Sequence, residues 1–420
     1  MLRLYNALIT VLWPLLYLYR PFSGSIRQRL GEFALGAYDP AIPGLKVLAN
    51  AVSAGEVVAI APALRELKRR RPDAQVALLT TTDSGRTMAQ EKLGDLLALL
   101  AYFPLIDLPA AVRHYLDTLK PGIYVTTEAE LWPNIQTQCR QRGIPVVLAN
   151  ARLYLHNKRG LRGTIVRRLY ELCDLILCQD ERQRGNFVAF GLPESKLRVC
   201  GNTKFDFALP DWDEEQLAAW RSRLDLGRGK VVVAGSTHPG EEEMLLGLLK
   251  RLRVEIPGVQ LIIAPRHIER ADDIMRTATA HAWQASLFTS LPASSAWDVL
   301  VMDQYGLLVD LYRVADVVVM GGTFHPRVGG HNILEATLLG KPVVVGPHRF
   351  SIVAQTELLA AAGGIVIADS DQALGAAVKG LLADPRRARH VGDAARLATL
   401  ANQGAAGRVV DELLSVVAAE

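Results

Sequence analysis

The sequence predicts an α/β protein of two consecutive doubly wound domains facing a cleft, preceded by an N-terminal hydrophobic membrane-anchor helix. Three observations predict it. At 420 residues the chain exceeds one ordinary core and suits two domains of roughly 200 residues each. Short β-branched runs alternate with helical spacings, the rhythm of parallel strands under crossover helices. That rhythm stops in a Pro/Asp-rich break at 207–228 and then starts again.

The first element is "LYNALITVLWPLLYLY", Leu4 to Tyr19, set between Arg3 and Arg20. A spanning helix wants about 20 apolar residues, so this stretch reads as a tilted anchor or a helix lying in the interface, and residues 1–20 are assigned to it. No small-residue cleavage site follows. Arg20, Arg27 and Arg29 lie after the segment and only Arg3 before it, which places the body on the cytoplasmic side.

Residues 21–206 form the first expected domain, with strands read at "LKVLANAV", "AQVALLTTT", "GIYVTT", "IPVVLANA", "CDLILCQD" and "LRVCGN". After the first strand, Gly55 is expected to supply a turn and Glu56 to stand at the mouth of the next helix, where a carboxylate serves either as a base or as a partner of the helix dipole. After "GIYVTT" come Glu128 and Glu130, which point the same way if the chain stays extended. In "CGNTKFD", Lys204 is expected to meet a phosphate or carboxylate across the cleft.

The second domain, 229–395, carries strands at "KVVVAGST", "VQLIIAPRH", "DVLVMD", "ADVVVMGGT", "KPVVVGPH" and "GGIVIAD"; residues 396–420 read as a closing helix. Strand carboxyl ends carry the ligands of doubly wound sheets, so the residues just past them are the candidates. Gly235, Ser236, Thr237 and His238 open a helix and suit an anion. Pro265 and Arg266 follow the next strand, and Arg266 offers a planar fork to a phosphate. In "GGHNILEATLLGKPVVVGPH", Gly329 and Gly330 let the backbone approach a ligand, Asn332 caps a helix with Glu335 three residues on, and Glu335 accepts ribose hydroxyls.

The formal charge is mild, +4, with basic runs "IRQRL", "LKRRRP" and "RGLRGTIVRRLY" in the first half. They read either as an anion-facing surface or as solvated helix faces. Cys139, Cys173, Cys178 and Cys200 form no C-x-x-C pair, so neither zinc nor a disulfide framework is indicated. No Walker motif, G-x-G-x-x-G, H-E-x-x-H or Ser-His-Asp order is present. Acids on the first domain and anion-binding groups on the second are the division of labour of a group-transfer enzyme with a nucleotide-activated donor.

Taken in order, "SAGEV", "EAELWPN", "LANARL", "GNTKFD", "GSTHPGEE", "APRHIER" and "GGHNILEA…GKPV…GPH" resemble the bacterial Kdo (3-deoxy-D-manno-octulosonic acid) transferases from the anchor to about residue 360. The resemblance implies the two-Rossmann GT-B glycosyltransferase fold, no metal and no cofactor. It also implies inverting transfer of Kdo from CMP-Kdo to a phosphorylated, tetra-acylated lipid A precursor (lipid IVA) in lipopolysaccharide biosynthesis, at the cytoplasmic face of the inner membrane. By resemblance Glu56 is the general base, with Gly55, Glu128, Glu130 and Lys204 on the acceptor side. The donor residues it implies are Pro265, Arg266, Tyr305, Gly306, Leu307, Asn332, Ile333, Leu334 and Glu335. Partners are the donor, the lipid acceptor and the inner membrane, with no nucleic acid.

Three positions depart from the family's pattern. Leu307 stands where an acid is expected, with Asp310 one helical turn on as a partial replacement; Tyr154 replaces a serine, and Ser351 an asparagine. The alternatives are a nucleotide-sugar epimerase on the same scaffold and a non-catalytic relative, the latter motivated by Leu307.

Overall fold

The computed structural model describes Asn6 and residues 24–153, 160–227, 229–291 and 296–418. The expected anchor at 4–19 lies outside the described residues except for Asn6, and so does Tyr154. Among the described residues no helix is long and apolar enough to cross a membrane.

The chain divides into two compact units, one ending at Phe207 but joined by residues 402–420, the other Ala208–Ala401. In the first, strands β1 (Lys46–Asn50), β2 (Gln75–Thr80), β3 (Leu99–Tyr102), β4 (Ile123–Thr127), β5 (Val146–Ala151), β6 (Leu175–Cys178) and β7 (Leu197–Val199) form one sheet. Their order is β3-β2-β1-β4-β5-β6-β7, with every pairing parallel.

Side chains alternate between two apolar layers, as a pleated strand requires. Val47 and Ala49 pack with Ile60, Leu64 and Leu67 of helix Ala54–Arg70, whereas Leu48 packs on the other face with Tyr115, Ile135 and Tyr124. Helix Ala405–Ala418 adds Val409, Val410 and Leu413 to the first layer. Its start is held by Asp206, whose carboxylate accepts the backbone N–H groups of Gly404 and Ala406.

The second unit repeats the plan with β8 (Val231–Thr237), β9 (Gln260–Pro265), β10 (Ala285–Leu287), β11 (Val299–Val301), β12 (Val317–Met320), β13 (Val343–Val345) and β14 (Ile365–Ile367). The order is β10-β11-β9-β8-β12-β13-β14, again all parallel.

Several boundaries differ from the sequence expectation. The break at 207–228 contains helix Glu214–Arg223 and belongs to the second unit, where the buried indole of Trp297 donates to Leu224 O at 2.8 Å. Helix Pro385–Ala401 runs unbroken through the boundary expected at 395, and the chain crosses back to the first unit only after it. Two strands went unread: β3 lies in a leucine run without β-branching, and β10 has only three residues at the sheet edge.

Each sheet has a point where strand order reverses, between β1 and β4 in the first and between β8 and β12 in the second. Loops leaving such neighbouring strands in opposite directions open a crevice at the carboxyl edge, where doubly wound sheets bind ligands.

Candidate active site

In the first unit the chain leaves β1 and turns into helix Ala54–Arg70 through the cap residue Ser53. Ser53 N donates to Glu56 Oε2 at 3.0 Å, so the Glu56 carboxylate is folded back toward the end of β1. Burial pushes its pKa up to about 7, with the charges of Glu130 and Glu128 adding to the effect and the Ser53 hydrogen bond opposing it. Gly55 does not make a turn; it lies in the first helical turn, and a Cβ there would meet nothing nearer than Ser53 Oγ at 4.0 Å. Its bare backbone leaves open space beside Glu56.

Beyond β4, Glu128 takes a left-handed backbone, φ 59°, so the chain turns and Glu128 and Glu130 do not share an extended face. The Glu128 side chain is 4% exposed and lies between two cations: Arg152 Nη2 at 2.7 Å from Oε2, and Lys204 Nζ at 2.6 Å from Oε1. Lys204 therefore meets a carboxylate of its own unit. It is placed by Asn150, also left-handed at φ 53°, whose Oδ1 accepts Thr203 N at 3.1 Å. Asn202 Oδ1 accepts Lys204 N at 3.0 Å. Burial raises the pKa of Glu130, with the Trp132 indole opposing the rise and the Glu128 charge adding to it. Trp132 packs on Phe103 with ring centroids 4.7 Å apart, just before helix Pro133–Gln141.

Sequence reasoning missed Arg152, Asn150 and Asp107. Arg152 and Asn150 sit at the end of β5, and their position after a strand was the available signal. Asp107 is fully buried and caps helix Pro133–Gln141 through the N–H groups of Asn134 and Ile135, at 2.6 and 3.0 Å. Its role depends on a contact across 27 residues, which no local pattern announces.

In the second unit the loops after β8 and β12 are bound together by Glu241. Its buried carboxylate accepts the N–H groups of His238 and Gly322, both at 2.8 Å, and of Phe324 at 3.0 Å. Burial raises its pKa and these bonds oppose the rise. Glu242, equally buried, accepts Thr237 Oγ1 at 2.9 Å and pairs with Arg270 at 2.8 and 3.2 Å. The backbones approach closely: a Cβ on Gly321 would lie 2.4 Å from Ser236 O. His238 Nε2 and His331 Nε2 are 2.7 Å apart, joining the same two loops a second time.

The expected donor residues lie at the end of β9 and in the loops that follow β9, β11 and β12. Pro265 ends β9, and Arg266 follows with its N–H on Thr237 O at 3.0 Å and its side chain exposed. Tyr305 is 58% exposed ahead of Gly306 at φ 88° and Leu307. Gly329 and Gly330 have φ of 78° and 95°, and Ser351 fixes the turn by donating N–H to Gly329 O at 3.1 Å and Oγ to Val328 O at 2.8 Å. The capping box expected between Asn332 and Glu335 does not form. The cap position of helix Leu334–Leu338 is Ile333, because Asn332 closes a tighter turn, its Oδ1 accepting Leu334 N at 3.1 Å. Glu335 lies half-buried in the first turn. Asp310 stands in the first turn of helix Leu308–Val314, 4.0 Å from Arg313.

A family model for "3-Deoxy-D-manno-octulosonic-acid transferase (kdotransferase)" matches residues 24–207. The 3-deoxy-D-manno-octulosonic acid transferase of Bordetella pertussis is 32% identical over 394 residues, 90% of this chain and 89% of the relative. The chain belongs to the Kdo transferase family. The Haemophilus influenzae Kdo transferase is 29% identical over 421 residues, 97% of each chain. Among solved structures, a glycosyltransferase from Rickettsia africae matches with a TM-score of 0.60 at 11% identity, covering 90% of this chain and 98% of that one. UDP-GlcNAc 2-epimerase from Neisseria meningitidis matches with 0.59 at 17%, covering 88% and 100%. Those two likenesses show the shared GT-B-like fold alone, and an epimerase activity gains nothing from them.

Within this Kdo transferase the arginines of one of the three basic runs are all paired. In "LKRRRP", Arg69 and Arg70 bind Glu66, Arg70 also binds Asp411, and Arg71 binds Asp73. They form a solvated helix end rather than an anion surface. All four cysteines are reduced and buried. Among the described residues no group of three or more His, Cys, Asp or Glu side chains is arranged to hold a metal ion.

Proposed function

We propose that this Kdo transferase moves Kdo from CMP-Kdo to a phosphorylated lipid A precursor, lipid IVA, with inversion and with Glu56 as general base, in lipopolysaccharide biosynthesis. The observation that carries the reading is the Glu56 carboxyl, held at the carboxyl end of β1 by Ser53 and brought to a pKa of about 7. A base poised near the working pH combines a large ionised fraction with real affinity for the proton.

In the step envisaged, an acceptor hydroxyl oxygen forms a bond to the anomeric carbon of Kdo as the bond from that carbon to the CMP phosphate oxygen breaks. The electron pair leaves with CMP, and the hydroxyl proton passes to Glu56. Lys204 and Arg152 hold the Glu128 carboxylate in place beside this centre, and its charge adds to the field that raises Glu56. Negative charge growing on the departing phosphate is met by the exposed Arg266 fork and by backbone N–H groups at the glycine turns.

The lipid acceptor calls for a membrane location, and residues 4–19 are proposed as the anchor at the cytoplasmic face of the inner membrane. Removing residues 1–20 tests that part: the shortened chain is expected in the soluble fraction of a cell lysate, and unchanged membrane residence would defeat the assignment. CMP release from CMP-Kdo, measured with and without lipid IVA, tests the activity. Acceptor-dependent release that falls on Glu56→Gln supports the reading; no release with the wild-type chain points to the non-catalytic alternative.

A further inference from the structure

Four imidazoles gather at the crevice of the second unit, from three loops. His238 follows β8, His267 follows β9, and His325 and His331 follow β12. The His238 and His331 rings are parallel within 4°, with centroids 5.0 Å apart; His325 and His267 stand 5.7 and 6.2 Å from His238. Arg266 adds a permanent charge from the β9 loop, close enough to act on both paired rings.

The Nε2 to Nε2 separation of 2.7 Å requires that one ring donate and the other accept, so a single proton lies between them. The acids packed against the cluster are already committed. Glu241 is taken up by three backbone N–H groups, and Glu242 by Arg270 and Thr237. Of these acids only Glu242 still favours the charged form of His238, and it does so while committed to Arg270 and Thr237. Burial, the neighbouring imidazoles and Arg266 all push the pair toward neutrality, with His331 lowered to about 4 and His238 also lowered.

We propose that the His238–His331 pair is a phosphate subsite that takes up a proton when the phosphate of a nucleoside monophosphate enters the crevice. The inference rests on the reading of the second unit as the CMP-Kdo domain. An incoming phosphate brings the negative charge that the cluster lacks, so a second proton becomes favourable on the pair. The Nε2 to Nε2 bond then opens, because two imidazolium rings both donate. The freed N–H groups turn to phosphate oxygens. His331 precedes Asn332 directly, so the same event repositions the start of the loop Asn332–Glu335.

Titration calorimetry of the full-length chain in detergent, at pH 7, where the CMP phosphate is already mostly dianionic and has little proton of its own to give, in two buffers of different ionisation enthalpy, counts the protons exchanged on CMP binding. Cytidine, which lacks the phosphate, is the control. The expected result is net uptake of roughly half a proton or more per CMP and none for cytidine, as a phosphate within a few ångströms raises an imidazole pKa by about 1–3 units. His331→Gln and His238→Gln are each expected to lose the uptake and to weaken CMP by about tenfold, with cytidine affinity kept as the measure of an intact crevice. CMP bound without proton uptake, or with uptake unchanged in both variants, overturns the subsite while leaving the donor reading in place. A chain that binds neither CMP nor cytidine overturns the donor reading and the subsite together.

Discussion

Lys204 Nζ lies 2.6 Å from Glu128 Oε1, joining a turn after β7 to the end of β4 across 76 residues of chain. The carboxylate is 4% exposed and the ammonium 21%, so neither charge is fully hydrated and each depends on the other.

Removing the cation alone should therefore cost stability. Lys204→Met is expected to lower the melting temperature of the first unit, by the equivalent of about 1–3 kcal/mol, since Arg152 remains as the second partner of Glu128. The double variant Lys204→Met with Glu128→Gln should recover part of that loss. A double variant no more stable than the single one would show that the buried charge is not the cause.

Glu56 links activity to pH. With its pKa near 7, kcat/KM should rise as pH climbs through about 7 and level off above, and Glu56→Gln should remove that limb along with about 10²-fold or more of the rate. A Glu56→Gln profile with the same acidic limb would assign the titration to another group.

The same shift has a stability consequence of opposite sense. Its folded value is raised from 4.5 to about 7, so the stability tied to this group is complete below about pH 4.5 and is lost as pH rises through 7. Glu56→Gln keeps an acceptor for Ser53 N and carries no charge. It should melt above the wild type at pH 8, by about 1–3 kcal/mol, and match it near pH 4.

Because Glu130 is the largest charge contribution to the Glu56 shift, Glu130→Gln should move the acidic limb of the rate profile toward lower pH. A limb that stays in place would mean the two carboxyls do not sense one another.

At the other unit, a Cβ on Gly235 would lie 2.1 Å from Tyr312 Oη, a buried hydroxyl with no hydrogen-bond partner among the described residues. Gly235→Ala is expected to destabilise by about 1–3 kcal/mol in a thermal melt. Tyr312→Phe alone should be neutral or slightly stabilising, since it removes an unsatisfied buried group, and it should soften the Gly235→Ala defect.

Much of the fold could be read directly because parallel strands buried on both faces are written as short apolar runs. "GIYVTT", "KVVVAGST" and "ADVVVMGGT" are such runs, and each became a strand. The words at the strand ends placed Glu56, Glu128 and Asn332 beside the order reversals and Pro265 and Arg266 one strand away, since connection order alone puts them there. The strands β3 and β10 were lost to a leucine run and to shortness, where periodicity carries little information.

By itself the sequence determined two parallel sheets, the family and the residues at their carboxyl edges, because these follow from local apolar pattern and from motif order. Only the tertiary structure decided which charges meet. It turned Glu128 into a left-handed backbone and set it between Arg152 and Lys204. It closed His238 onto His331 and returned the closing helix to the first unit. Those outcomes depend on burial and on contacts between residues far apart in the chain. Both arise only when the sheets are assembled and water is withdrawn from the groups between their loops.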